Sequence, residues 1–207
     1  IDAGKRGGAL TPLEGLPHLL APLVSDPLDA VHRLSWLARH LEWREENQVA
    51  SPRIVVAIDD AAPLLAADGR KFASLLKMLC QRGPRHGVHV IAGSREPVPA
   101  LVGDNLYGNF PARIVAKVSS AGNARYYTNQ SNSGAEQLLG AGDMLVVLEG
   151  EMVRMQAAYI NEAECAQVVQ LMQRVAQEQQ REQERAKQPL GAVRPARDLA
   201  ALRPALG

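Results

Sequence analysis

Apolar residues in this chain fall into two kinds of run, one at helical spacing and one continuous. Leu28, Val31, Leu34, Leu37, Ala38 and Leu41 recur every three or four residues. That spacing predicts a helix capped by Ser25 or Asp26, with Pro27 in its first turn. "DGRKFASLLKMLCQRG" predicts a second helix, closed by Gly83 and Pro84. The strand Arg53–Ile58 is continuous rather than alternating, as in a strand covered on both faces, and "GVHVIAGS" (Gly87–Ser94) and "ARIVAKVSS" (Ala112–Ser120) read as a second and a third buried strand. The stretch from Val98 to Leu106, between the last two, reads as a loop with short helical possibilities. "SGAEQLLGAGDMLVVLEG" predicts a helical turn, a Gly-rich corner and a fourth strand. "EMVRMQAAYI" returns as a fifth strand, antiparallel across the turn at Glu149–Glu151. A helix then begins at Asn161 or Glu162 and runs to about Lys187, polar and Gln-rich beyond Val175. Residues 1–25 read as a loop with short turns, and the stretch after Gln188 as a linker or weakly held extension.

Strands that alternate with helices predict an α/β domain, with a parallel sheet and helices on both faces. Ligands of such sheets bind at the carboxyl ends of the strands. Those ends carry Asp59 and Asp60, Ser94 and Arg95, and Ser119 and Ser120, which together form one candidate site.

Composition narrows the class. A chain of 207 residues with 46% hydrophobic content and mean hydropathy of −0.14 fills the core of one domain with an appendage. A net charge of +1 excludes a global attraction to nucleic acid, so basic contacts must be local. Cys80 and Cys165 stand singly in helical stretches, as buried or half-buried free thiols of a cytosolic chain. No apolar run approaches the roughly 18 residues of a membrane span. The opening "IDAGKRGG" reads as a chain cut near a strand end.

The chemistry concentrates in "RIVVAIDDAAPLL". A strand-terminal aspartate such as Asp59 suits magnesium held through water near phosphates, and the acid after it, Asp60, can orient the attacking water. The plain alternative is that both cap the next turn. Ser94 and Arg95 either report on a terminal phosphate or end a strand, and Arg125 is either an arginine finger or a surface arginine. "AGKRGG" lacks the G-x-x-x-x-G-K-[ST] pattern of a phosphate loop. The five histidines have no metal spacing, and His89 reads as a hydrogen-bonded core residue.

Taken together, "EGLPHLLAPLVSDPLDAVHRLSWLARHLEWR", "RIVVAIDDAAPLL", "GVHVIAGSREP", "PARIVAKVSS" and "GAEQLLGAGDMLVV" resemble, in that order, the motor domain of the FtsK/SpoIIIE family of DNA translocases. The resemblance covers about residues 1–170 and leaves 171–207 as a helix end and tail. It implies a RecA-like α/β fold, a mostly parallel sheet flanked by helices with a long C-terminal helix. It also implies ATP and magnesium as cofactors, double-stranded DNA as partner, a homo-oligomeric hexameric ring, and a cytoplasmic setting with any membrane anchor outside this chain. Asp59 falls on the Walker B aspartate and binds magnesium through water. Asp60 falls where the family usually has a catalytic glutamate, and Ser94 where a glutamine sensor is usual. Arg95 matches the arginine after that sensor, and Arg125 lies near an arginine that faces the neighbouring subunit. The Walker A loop of the family would precede residue 1. Two functions follow: part of an ATP-driven DNA translocase, or a degenerate, weakly hydrolysing relative that engages protein partners, as in secretion and conjugative coupling ATPases.

Overall fold

The computed structural model describes residues 1–4, 8–95 and 106–187. The expected helical stretch around Val98–Leu106 and the tail after Gln188 lie essentially outside the described residues, as do Lys5 and Arg6. The elements, in order, are α1 (Pro27–Glu46), β1 (Ile54–Ile58), α2 (Ala62–Arg82), β2 (Val88–Ala92), the short α3 (Leu106–Asn109), β3 (Ala112–Val115), α4 (Ala121–Thr128), β4 (Asp143–Leu148), β5 (Glu151–Gln156) and α5 (Glu162–Lys187). The α/β class and the long C-terminal helix are as the sequence predicts.

α1 forms where its caps and stripe require. The Asp26 carboxylate accepts a hydrogen bond from Asp29 N (2.8 Å), which satisfies one of the amides that a helix start leaves unpaired. Val31, Leu34, Leu37, Ala38 and Leu41 are buried, whereas Leu28, the first residue of the expected stripe, is exposed. α2 starts earlier than "DGRK", at Ala62, and breaks at Asp68, whose backbone is non-helical. Asp68 then caps its own continuation by accepting from Lys71 N (3.2 Å). The two helices pack on each other and on the same face of the β1–β2 pair. Leu64, Phe72, Leu76 and Leu79 of α2 meet Val31, Leu34 and Leu41 of α1 there, above Ile58 and Val88. Buried Arg44 ties the end of α1 to the turn before β2, donating to His86 O and to His40 Nε2, both at 3.0 Å. An ion pair between Arg82 and Glu45 reinforces the same corner.

β1 and β2 are parallel, with Ile54 beside Val88 and Ile58 beside Ala92. Expected to be covered on both faces, they are covered on one among the described residues. Ile54, Val56 and Ile58 face the helices, while Val55 and Ile91 on the other face are 59% and 64% exposed. His89 shares that open face through its pairing with Val55 and is half-buried rather than a core residue.

The third strand differs most from expectation. β3 stops at Val115 and pairs antiparallel with β4, so among the described residues the parallel sheet is the β1–β2 pair and β3–β4–β5 form a second sheet. The physical reason is local. β4 and β5 form a hairpin across Glu149 and Gly150, both left-handed (φ 51° and 87°), as a two-residue turn demands. That hairpin offers β3 an edge of alternating register, with Val115 opposite Leu145 and Arg113 opposite Val147. One face buries Val115 and Leu145 against Ala124 and Leu138, and Val147 is buried as well.

The segment "GAEQLLGAGDMLVV" builds the corner into β4. Gly142 holds φ of 90°, and a side chain there would press on Gln156 Nε2 at 2.7 Å and Ala157 O at 3.2 Å. Asp143, buried, locks the corner: it accepts from Leu139 N (2.7 Å) and forms a two-pronged pair with Arg154 of β5 (2.8 and 2.7 Å). The Arg154 guanidinium, with help from the Leu139 amide, pulls the Asp143 carboxyl down to about 2.

Two stability predictions follow. Phe72→Ala empties the centre of the α1–α2 layer and should cost about 3–5 kcal/mol in chemical denaturation. Because the folded pKa of Asp143 is depressed, its contribution is present above roughly pH 4, the ordinary carboxylate range, and is lost as pH falls toward about 2. The drop in urea midpoint between pH 6 and pH 3 should therefore be smaller in Arg154→Met than in the unaltered chain.

Candidate functional site

The carboxyl ends of β1 and β2 are bound together by backbone. Gly93 N donates to Ile58 O (2.8 Å), and Ala61 N donates to Gly93 O (3.1 Å). The approach is so close that a Cβ on Gly93 would stand 2.4 Å from Asp59 O. Glycine is required there for contact, not for torsion. This crossing sets Asp59 and Asp60 next to Ser94 and Arg95, the grouping expected of two of the three strand ends.

The third end does not join them. Ser120, expected beside Asp59, caps α4 by accepting from Asn123 N (3.2 Å), and Ser119 Oγ accepts from the Asn123 side chain (3.1 Å). Both follow β3, which belongs to the other sheet. Arg125 is exposed on α4, which packs on β3 and the turn Ala135–Gln137.

Within the site, the two aspartates have different surroundings. Asp60 is buried, and its Oδ1 accepts from Ala62 N (3.1 Å), holding the first turn of α2 as the capping alternative predicts. Asp59 is half-exposed, and its amide donates to Ile1 O (3.1 Å). Ser94 and Arg95 are exposed just beyond the Gly93 crossing.

One contributor was missed. Ile1 N donates to Ala57 O (2.8 Å) and Ile1 O accepts from Asp59 N, so the chain start lies along β1 in parallel. Asp2 is consequently buried beside the same strand end. Its Oδ2 accepts from Leu10 N (3.0 Å), and its Oδ1 has no hydrogen-bond partner among the described residues. Gly4 then passes close over the aspartates: a Cβ there would lie 3.2 Å from Asp59 Oδ2 and 3.5 Å from Asp60 Cβ. The signal was present, since "IDA" at the start repeats the Ile-Asp of Ile58-Asp59.

Carboxylate oxygens are hard donors of the kind magnesium takes, and Asp59 has the exposure to offer one. Among the described residues, no three His, Cys, Asp or Glu side chains are grouped to hold a metal ion unaided. A divalent cation at Asp59 would therefore draw most of its ligands from water and phosphate, as magnesium usually does.

Comparison with known proteins bears on this geometry. The DNA translocase FtsK of Clostridium acetobutylicum is 31% identical over 198 residues, which cover 84% of this chain and 26% of that protein. FtsK of Rickettsia prowazekii is 28% identical over 213 residues, 79% of this chain and 28% of that protein. The chain is an FtsK-family homologue. It spans about a quarter of the length of these FtsK relatives. No family model matches the chain. In three dimensions it is similar to the pCW3 conjugation coupling protein TcpA, solved as a monomer with ATPγS, with a TM-score of 0.65 at 15% identity over 80% of this chain and 55% of that one. That likeness is one of fold. Among the described residues, no helix is long and apolar enough to cross a membrane.

The Gly93 crossing yields a direct test. Gly93→Ala forces backbone apart between β1 and β2 and should cost about 1–3 kcal/mol, read as a lower unfolding midpoint.

Proposed function

We propose that this chain is the Walker B side of an FtsK-type motor that couples ATP hydrolysis to movement of double-stranded DNA. The observation that supports it best is the joining of Asp59, Asp60, Ser94 and Arg95 at one parallel strand end, in a chain of FtsK descent. In this reading Asp59 holds magnesium through water beside the β and γ phosphates of ATP. The bound magnesium nucleotide supplies the phosphoryl group and neutralises its charge. Asp60, fixed by Ala62 N, orients the attacking water, and Ser94 and Arg95 read the terminal phosphate. Arg125, exposed on α4, serves the nucleotide of a neighbouring subunit in a hexameric ring. The grip on the phosphates comes from a Walker A loop elsewhere in the protein.

A second reading is favoured by Asp60 itself. An aspartate carboxylate sits roughly 1.5 Å short of a glutamate's, and misplacement on that scale costs about a hundredfold in rate. With one oxygen engaged by Ala62 N, Asp60 serves equally as the cap of α2 in a module that binds nucleotide, hydrolyses it weakly and engages protein partners.

The experiment is DNA-stimulated ATP turnover and magnesium-dependent nucleotide binding by calorimetry, on the longest form of the protein its gene encodes. Asp59→Ala should abolish the magnesium dependence of binding and lower turnover by about a hundredfold or more. Unchanged affinity in Asp59→Ala means that Asp59 is not the metal residue. Tight binding without DNA-stimulated turnover, together with a gain in rate on Asp60→Glu, selects the second reading.

A further inference from the structure

The chain start sets a second carboxylate beside Asp59. Ile1 N donates to Ala57 O (2.8 Å) and Ile1 O accepts from Asp59 N (3.1 Å). In a parallel pair those two bonds put Ile1 opposite Ile58, and therefore Asp2 opposite Asp59. Ile1 and Ala3 pack into the apolar layer with Ile58, so Asp2 between them turns to the other face, the one Asp59 takes. Two carboxylates thus leave one face of neighbouring strands, which run about 4.8 Å apart. Among the described residues neither has an ion-pair partner.

Asp2 is 4% exposed. Its Oδ2 accepts from Leu10 N (3.0 Å), which fixes the carboxylate, while Oδ1 has no hydrogen-bond partner among the described residues. A buried charged acceptor left without a donor is costly, and native proteins rarely keep one. The half-buried Ile1 amine does not supply the donor. Burial lowers its pKa while Asp2 and Asp59 raise it, and its hydrogen bond goes to Ala57 O. Gly4 adds room at the same place. Its backbone lies outside the left-handed region, so torsion does not call for glycine. Space does: a Cβ there would stand 3.2 Å from Asp59 Oδ2, close to where a water hydrogen-bonded to that oxygen would lie, at about 2.8 Å.

We propose that Asp2 and Gly4 position the water through which Asp59 holds its divalent cation, an inference that rests on the reading of Asp59 given above. One water has the right valence. Its two hydrogens go to Asp2 Oδ1 and Asp59 Oδ2, its oxygen faces the cation, and the missing side chain of Gly4 leaves its place open. Asp2 does not touch the cation; it is an outer acceptor that orients the water, as the outer partners of metal sites do.

The test measures ATPγS affinity by calorimetry with magnesium and with EDTA, on the longest form of the protein its gene encodes. The ratio of the two affinities is the magnesium contribution. Asp2→Asn keeps an acceptor for Leu10 N but turns an amide donor toward the water, which needs an acceptor there. It should lower the ratio about tenfold or more, most of the loss appearing only when magnesium is present. Gly4→Ala should lower the ratio as far by filling the water's place. In an Asp59→Asn background neither change should lower it further, because all three act on one cation. A ratio untouched in Asp2→Asn or in Gly4→Ala, while Asp59→Asn abolishes it, overturns this inference and leaves the reading of Asp59 standing. Equal losses with and without magnesium also overturn it, and make Asp2 a structural acceptor or the partner of a basic side chain. A ratio near one in the unaltered protein overturns both readings. Should Asp2→Asn not fold, Gly4→Ala decides among the same outcomes.

Discussion

Two backbone hydrogen bonds at Gly93 organise the candidate site. A parallel pair of strands has no hairpin to fix its register, so β1 and β2 depend on their crossover, α2, and on what happens where their carboxyl ends meet. At that point Gly93 N reaches Ile58 O and Gly93 O receives Ala61 N, at a separation only a residue without Cβ allows. The bonds turn the chain away from β1 just after its two aspartates, start α2 under the Asp60 carboxylate, and deliver Ser94 beside them. The hydrophobic layer of α1 and α2 supplies the stability, but it would tolerate rearrangement that this crossing does not.

The other sheet solves a different problem. Its hairpin and Gly-rich corner hold residues in left-handed backbone, and the Asp143–Arg154 pair is the clasp that closes them. The segment "GAEQLLGAGDMLVV", one of the stretches that resemble the FtsK family, thus has a structural task in the geometry of a turn. A family signature of this kind marks descent, while the residues that would carry the reaction lie elsewhere, at the ends of β1 and β2.

Much of this was legible in order. The α1 cap at Asp26, the hairpin turn at Glu149 and the start of α5 at Glu162 stand where spacing and turn chemistry put them. The misses share a cause. Continuous apolar runs such as Ile54–Ile58 imply cover on both faces, yet among the described residues α1 and α2 occupy the same face. "ARIVAKVSS" reads as one more parallel strand, yet β3 finds its partner in the hairpin that follows it. Buried Arg44 was unreadable because one of its partners, His86 O, lies on a distant element.

The amino-acid sequence by itself determined the helices, the strands, the aspartates at a strand end and the family, because those follow from local spacing and from the identity of side chains. Tertiary structure decided which strand ends meet and that Asp2 and Gly4 lie over the same carboxylates. These depend on pairing between segments far apart in the chain, Gly93 with Ile58 and Ile1 with Ala57. The energy of such pairing comes from burial and backbone hydrogen bonds that no short window of sequence contains.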